Sequence, residues 1–247
     1  MKKILIVGGA NGIGLSIATE LAKRSEVKKI YIVDKCLVQE EDNNQKFETY
    51  EFDLTNDDYS IFDTFMDIDT LMITAGFGRL SLFRDLDENH IKSSFNVNTV
   101  SVLRIIKHFY HKLEAQEDFY CGVMVSISGF MSSPFFSIYA ATKAALKVFI
   151  ESVNVELLEA GTANRILNVS PGKINGTGFY GKGKTNVDLN LGLANEIIAK
   201  MESKEDLFIP QYEEIYKNVL QRYHDDFRKE GLHSYEYKLQ RLKNTID

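Results

Sequence analysis

"KKILIVGGANGIG" (residues 2–14) decides the fold. Its apolar, β-branched core, Ile4 to Val7, reads as a strand covered on both faces. The strand runs into Gly8, Gly12 and Gly14, and a helical pattern begins at about Ile13. Glycine allows a tight turn and the close approach of a ligand. The free amides at a helix N-terminus attract an anion. Strand, glycine turn and helix in this order therefore form a cradle for a pyrophosphate, with Asn11 and Ile13 set among the glycines.

Outward from this segment the same alternation repeats. Apolar runs at 28–35, 46–53, 69–76, 121–128 and 164–172 read as further strands. Helical patterns lie between them, including a long one over 87–116 and another that holds Tyr139. Alternating strands and helices predict a Rossmann-type, doubly wound parallel sheet with helices on both faces, in a single domain spanning 1–247. The polar segment 38–46 reads as an exposed loop, and the glycine-rich 176–186 as a mobile one. Residues 177–247 read as a substrate loop and helical C-terminal extension, and 205–212 offers a short strand. An apolar stripe over 212–227 recurs at helical spacing and reads as core or subunit packing.

The bulk properties exclude several classes. The chain has 247 residues, 44% of them hydrophobic, and a net charge of −6. That acidity argues against a nucleic-acid binder. The N-terminal apolar run is too short to span a bilayer. Two separated cysteines, Cys36 and Cys121, suit a reducing, cytoplasmic setting. His108 and His111 share a helix face but lack further ligands, so no metal site is expected.

Asp34 ends the second strand, where a carboxylate accepts both ribose hydroxyls of an adenosine and repels a 2′-phosphate. This favours NAD over NADP, although Lys35 beside it is suited to meet that phosphate. Asp53 ends the third strand and is placed to accept from an adenine amino group, with Leu54 as an apolar contact. Alone, Asp53 would read as part of a helix N-cap region, because Thr55 and Asn56 follow. Ala75 and Gly76 end the fourth strand, where the backbone can approach a cofactor.

"SIYAATKAAL" (137–146) sets Tyr139 and Lys143 on one helix face. A free tyrosine has a pKa of about 10, and a nearby ammonium lowers it by favouring the phenolate. The pair is suited to proton exchange with a carbonyl or hydroxyl.

With the glycines at 8, 12 and 14, the Tyr139–Lys143 pair and "PG" at 171–172, residues 1 to about 178 resemble the short-chain dehydrogenases/reductases in their single-domain branch. The resemblance implies hydride transfer between an alcohol and a ketone, with Tyr139 as general acid/base. It implies that Lys143 binds the nicotinamide ribose and that Ser128 polarises the substrate carbonyl. In "FNVNTVS" (95–101) it implies that Asn98 holds a water linking Lys143 to solvent. Pro171, Gly172 and Thr177 would border the nicotinamide. Ser128 falls two residues closer to Tyr139 than the family spacing, which Ser126 satisfies, so the serine role lies between them, with Ser128 preferred. Thr74 and Val7 replace the family's usual asparagine and threonine.

The C-terminal end departs from the family pattern, which favours a homodimer over the usual tetramer. The pocket expected from 77–90, 129–138 and 177–200 would take a small alcohol or ketone. Lys182 and Lys184 read as solvated loop charges. A dinucleotide-binding regulator or scaffold without turnover is the alternative.

Overall fold

A computed structural model describes residues 1–177, 179 and 186–243, so Lys182 and Lys184 lie outside the described residues. Seven strands form one sheet: β1 (Lys3–Val7), β2 (Lys29–Asp34), β3 (Phe47–Glu51), β4 (Thr70–Ile73), β5 (Tyr120–Met124), β6 (Ile166–Val169) and β7 (Leu207–Phe208). Their order is β3-β2-β1-β4-β5-β6-β7. Every pairing is parallel. The chain order reverses between β1 and β4, which opens a crevice at the C-terminal ends of those strands.

Side-chain alternation divides the core in two. Leu5 and Val7 pack towards α3 (Ser101–Glu114) and α4 (Ser137–Glu159), with Phe62 and Phe65 beneath them. Ile4 and Ile6 pack on the opposite face, against α1 (Gly12–Ala22) and α5 (Leu191–Glu202). All four strand residues are buried. Each such aliphatic side chain contributes about 1.5–3 kcal/mol on leaving water. This two-sided burial is why the strands are apolar throughout rather than alternating.

Most strands are shorter than the apolar runs that announce them. The run at 121–128 stops pairing at Met124 and that at 164–172 at Val169. The overrun lies at the C-terminal ends, where neighbouring chains splay into the crevice. Apolar residues there line loops instead of a ladder.

The helical region expected over 87–116 is α2 (Glu88–Phe95), a π turn (Asn96–Val100) and α3. Such single π turns cluster at functional sites. Beyond β7 come α6 (Lys217–Asp225) and α7 (Phe227–Lys243). The 212–227 stripe is not core: Tyr212, Ile215 and Phe227 are exposed, and no residue of α6 is buried. Instead α6 and α7 fold over the crevice. Among the described residues, no helix is long and apolar enough to cross a membrane.

Candidate active site

A cleft of about 1280 Å³ runs along the C-terminal edge of the sheet. At one end lie Gly8, Asn11, Gly12, Ile13 and Gly14 with Asp34, Asp53 and Leu54; Ala75 and Gly76 border its middle. Ser126, Ser128, Tyr139, Lys143, Pro171, Gly172 and Thr177 line the other end. Seventeen dispersed positions are thus brought onto one surface by the crossovers of the sheet, with only Asn98 of the expected site residues outside the lining.

The glycine turn fits a phosphate-bearing ligand. A Cβ on Gly8 would lie 2.4 Å from the Ala75 nitrogen, and its φ of +87° disfavours other residues. Thr74 Oγ1 donates to the Gly8 carbonyl oxygen at 2.8 Å and ties β4 to the turn. Asn11 stands at the N-cap of α1 without a side-chain cap hydrogen bond, and the first turn carries no acid. No carboxylate of the helix therefore competes for its first amides. Asp34 Oδ2 accepts from the Ala10 amide at 3.0 Å, which orients the carboxylate at the cleft rim. Beside it, burial pushes the Cys36 thiol pKa up, and Asp34 adds to the effect.

Asp53 Oδ1 accepts from the Thr55 amide at 2.8 Å and the Thr55 hydroxyl at 2.7 Å. Those bonds hold its carboxyl below the usual range. These bonds close a turn and not the expected helix N-cap, for the next helical turn begins only at Ser60, while Asp53 still lines the cleft.

Tyr139 and Lys143 project from the first turns of α4, with Lys143 Nζ 5.7 Å from the Tyr139 ring centroid. Lys143 is buried, and Nζ donates to the Met124 carbonyl oxygen at 2.8 Å. Burial lowers its pKa to about 7. Phe136 and Phe179 flank Tyr139 at 5.8 and 5.1 Å between ring centroids.

Ser126 is buried, and its Oγ accepts from the Ser128 amide at 3.1 Å, opening a short helical turn. Ser128 is less buried and lines the cleft beside it. Asn98 is fully buried. Its Oδ1 accepts from the Phe77 amide at 2.9 Å, and its Nδ2 donates to the Phe77 carbonyl at 2.8 Å and to Thr142 Oγ1 at 3.2 Å. A Cβ on Gly76 would lie 3.2 Å from Asn98 Oδ1 and 3.4 Å from Lys143 Nζ. Asn98 therefore pins the backbone beyond β4 directly behind the lysine, through the π turn.

The sequence reading missed the wall built by α6 and α7. Tyr216, Val219, Arg222, Tyr237 and Lys238 all line the cleft. The Tyr216 hydroxyl packs over Gly172, 1.6 Å from where a Cβ would stand. The helical apolar stripe was the available signal for Tyr216 and Val219; nothing local marked Lys238.

A family model described as short chain dehydrogenase matches residues 2–187.

The chain belongs to the short-chain dehydrogenase family.

Among curated relatives, human 17-beta-hydroxysteroid dehydrogenase type 1 is 28% identical over 184 residues, covering 68% of this chain and 56% of its own. Oxidoreductase TDA5 of Saccharomyces cerevisiae is 27% identical over 187 residues, covering 72% of this chain and 57% of its own. The match therefore spans little more than half the length of these two relatives. Sorbitol-6-phosphate 2-dehydrogenase of Klebsiella pneumoniae is 29% identical over 194 residues, covering 71% and 70%. In fold, this short-chain dehydrogenase resembles one from Streptomyces avermitilis at a TM-score of 0.73 and 17% identity, covering 100% of this chain and 99% of that one. A second, from Burkholderia cenocepacia in complex with NADP, gives 0.69 at 19% identity, covering 90% and 98%.

Proposed function

We propose that this protein is an NAD(P)(H)-dependent oxidoreductase that interconverts an alcohol and a ketone, with Tyr139 as general acid/base. The observation that carries the reading is continuity. One cleft joins the uncapped helix amides and Asp34 to the Tyr139–Lys143 pair.

A bound nicotinamide supplies the hydride acceptor or donor. The chain's own groups do the rest. The glycine turn and the first amides of α1 bind the pyrophosphate. Lys143 binds the nicotinamide ribose, and its ammonium stabilises the Tyr139 phenolate. In reduction Tyr139 gives its hydroxyl proton to the carbonyl oxygen, and in oxidation it takes one back. Ser128 donates to that oxygen. Asn98 is a positioning residue: its hydrogen bonds hold the Phe77 backbone and leave Lys143 its space. Because burial holds Lys143 near its titration point at neutrality, its pull on Tyr139 changes over that pH range.

Asp34 favours NAD, for its carboxylate opposes a 2′-phosphate. The Burkholderia neighbour is described with NADP, and so both coenzymes belong in the assay. A homodimer through α3 and α4 is part of the proposal. Val148, Val155 and Leu158 form an exposed apolar stripe along α4, 58, 60 and 58% accessible. Light scattering reads the assembly directly.

The decisive experiment follows NADH and NADPH absorbance across a panel of ketones and alcohols. Turnover is expected in the native chain and should fall by about 10²–10⁴ in Tyr139→Phe, with coenzyme binding retained. Coenzyme binding without turnover of any substrate would replace the reading with a dinucleotide-binding regulator.

A further inference from the structure

The substrate end of the cleft has a charge that the reaction does not use. Lys238, on α7, reaches across to the loop preceding α4. Its Nζ donates to Ser133 Oγ at 2.6 Å and to the Pro134 carbonyl oxygen at 2.9 Å. An ammonium has three N–H groups. Among the described residues no third acceptor is found, and no carboxylate lies within ion-pair distance of Nζ. Of the other charged groups of this end, Arg222 and Glu230 bind each other at 2.7 and 3.0 Å, Lys143 stands behind Tyr139, and Lys173 lies exposed at the rim.

The wall around Lys238 is built and apolar. Nζ lies 5.5 Å from the Phe136 ring, and Phe136 in turn lies 5.8 Å from the ring of Tyr139. Phe135, a bulky residue in the left-handed region at φ 65°, is held against Tyr235 at 4.8 Å. Such a conformation persists where its surroundings enforce it. The neighbouring Ser132 hydroxyl is buried and has no hydrogen-bond partner among the described residues, yet Ser132 lines the same cleft. Burial lowers the Lys238 pKa to about 8, so at neutral pH the group remains mostly an ammonium.

Resting on the oxidoreductase reading above, we infer that Lys238 selects substrates carrying a carboxylate at the end remote from the reacting carbonyl. An apolar body about one aromatic ring long would lie along Phe136 between the two ends. The carboxylate takes the third ammonium proton and the Ser132 hydroxyl. A charge-assisted hydrogen bond in a partly dry site outweighs the neutral bond an ester can make.

The test compares 4-acetylbenzoate, whose ring separates the ketone from the carboxylate, with its methyl ester in the native chain, Lys238→Met and Lys238→Arg. In the native chain kcat/KM for the acid should exceed that for the ester by about tenfold or more. Lys238→Met should erase that ratio, and Lys238→Arg should retain most of it. Binding is read separately by titrating both compounds into the protein–NADH complex and following coenzyme fluorescence, which also serves if Lys238→Met fails to fold. Equal affinity and turnover for acid and ester, or an unchanged ratio in Lys238→Met, overturns the inference and leaves the oxidoreductase reading standing. Tight, Lys238-dependent binding of the acid with no reduction of either compound supports the anion site and counts against the oxidoreductase.

Discussion

Lys143 Nζ donates to the Met124 carbonyl oxygen at 2.8 Å, joining α4 to the end of β5 beneath the Tyr139 ring. The bond sits in a buried place, so charge there is costly. Burial sets the folded-state pKa at about 7, below the ordinary 10.5. Between these values the unfolded chain binds more protons than the folded one. Stability should therefore rise with pH across that window, by at most about 1.4 kcal/mol per pH unit from this group. Urea titrations at several pH values would read the slope, and Lys143→Met should flatten it. An equal slope in both proteins would mean that the lysine is solvated.

The two serines should separate by readout. Ser126 spends its hydroxyl on the Ser128 amide, so Ser126→Ala should lower stability by about 1 kcal/mol as a lost cap. Ser128→Ala should leave the melting temperature nearly unchanged and lower kcat by about 10²-fold, as expected for a donor to the substrate oxygen. The reverse pattern would transfer the catalytic role to Ser126.

Gly14 has no room for a side chain. Its Cβ would stand 2.3 Å from the Gly8 carbonyl oxygen and 2.5 Å from Thr74 Oγ1. Gly14→Ala must push the turn away from β4, at a cost of about 1–3 kcal/mol, and should weaken coenzyme binding with it. Gly192 meets nothing within 4 Å, and Gly192→Ala should instead add about 0.4–1 kcal/mol. Denaturation midpoints of the two variants moving in the same direction would refute this account of the turn.

Asp34 should govern coenzyme choice. In Asp34→Ser the carboxylate that opposes a 2′-phosphate is gone, while Lys35 remains at the rim. The ratio of NADPH to NADH affinity should rise by about tenfold or more, read by fluorescence titration. A ratio that does not move would show that some other group reads the ribose.

The glycine turn, Asp34 and the Tyr139–Lys143 pair were legible because each is encoded in a short window. Apolar runs of strand length give β1 to β6, glycines give the turn, and a spacing of four on a helix gives the pair. Strand ends were less legible, since pairing stops where a neighbour diverges and not where hydrophobicity stops. Asn98 was singled out by the resemblance of its segment to the family's, but its bonds to Phe77 and Thr142 depend on where the β4 loop meets α4.

By itself, then, the sequence determined the order of elements, the crevice at the sheet's edge and the residue types placed along it, because local periodicity and backbone freedom are properties of neighbouring residues. Tertiary structure alone decided what closes the substrate end. Lys238 meets Ser133 across 105 residues of chain. A contact at that separation comes from how α6 and α7 pack over the sheet, which no local pattern of a polar, half-exposed helix specifies.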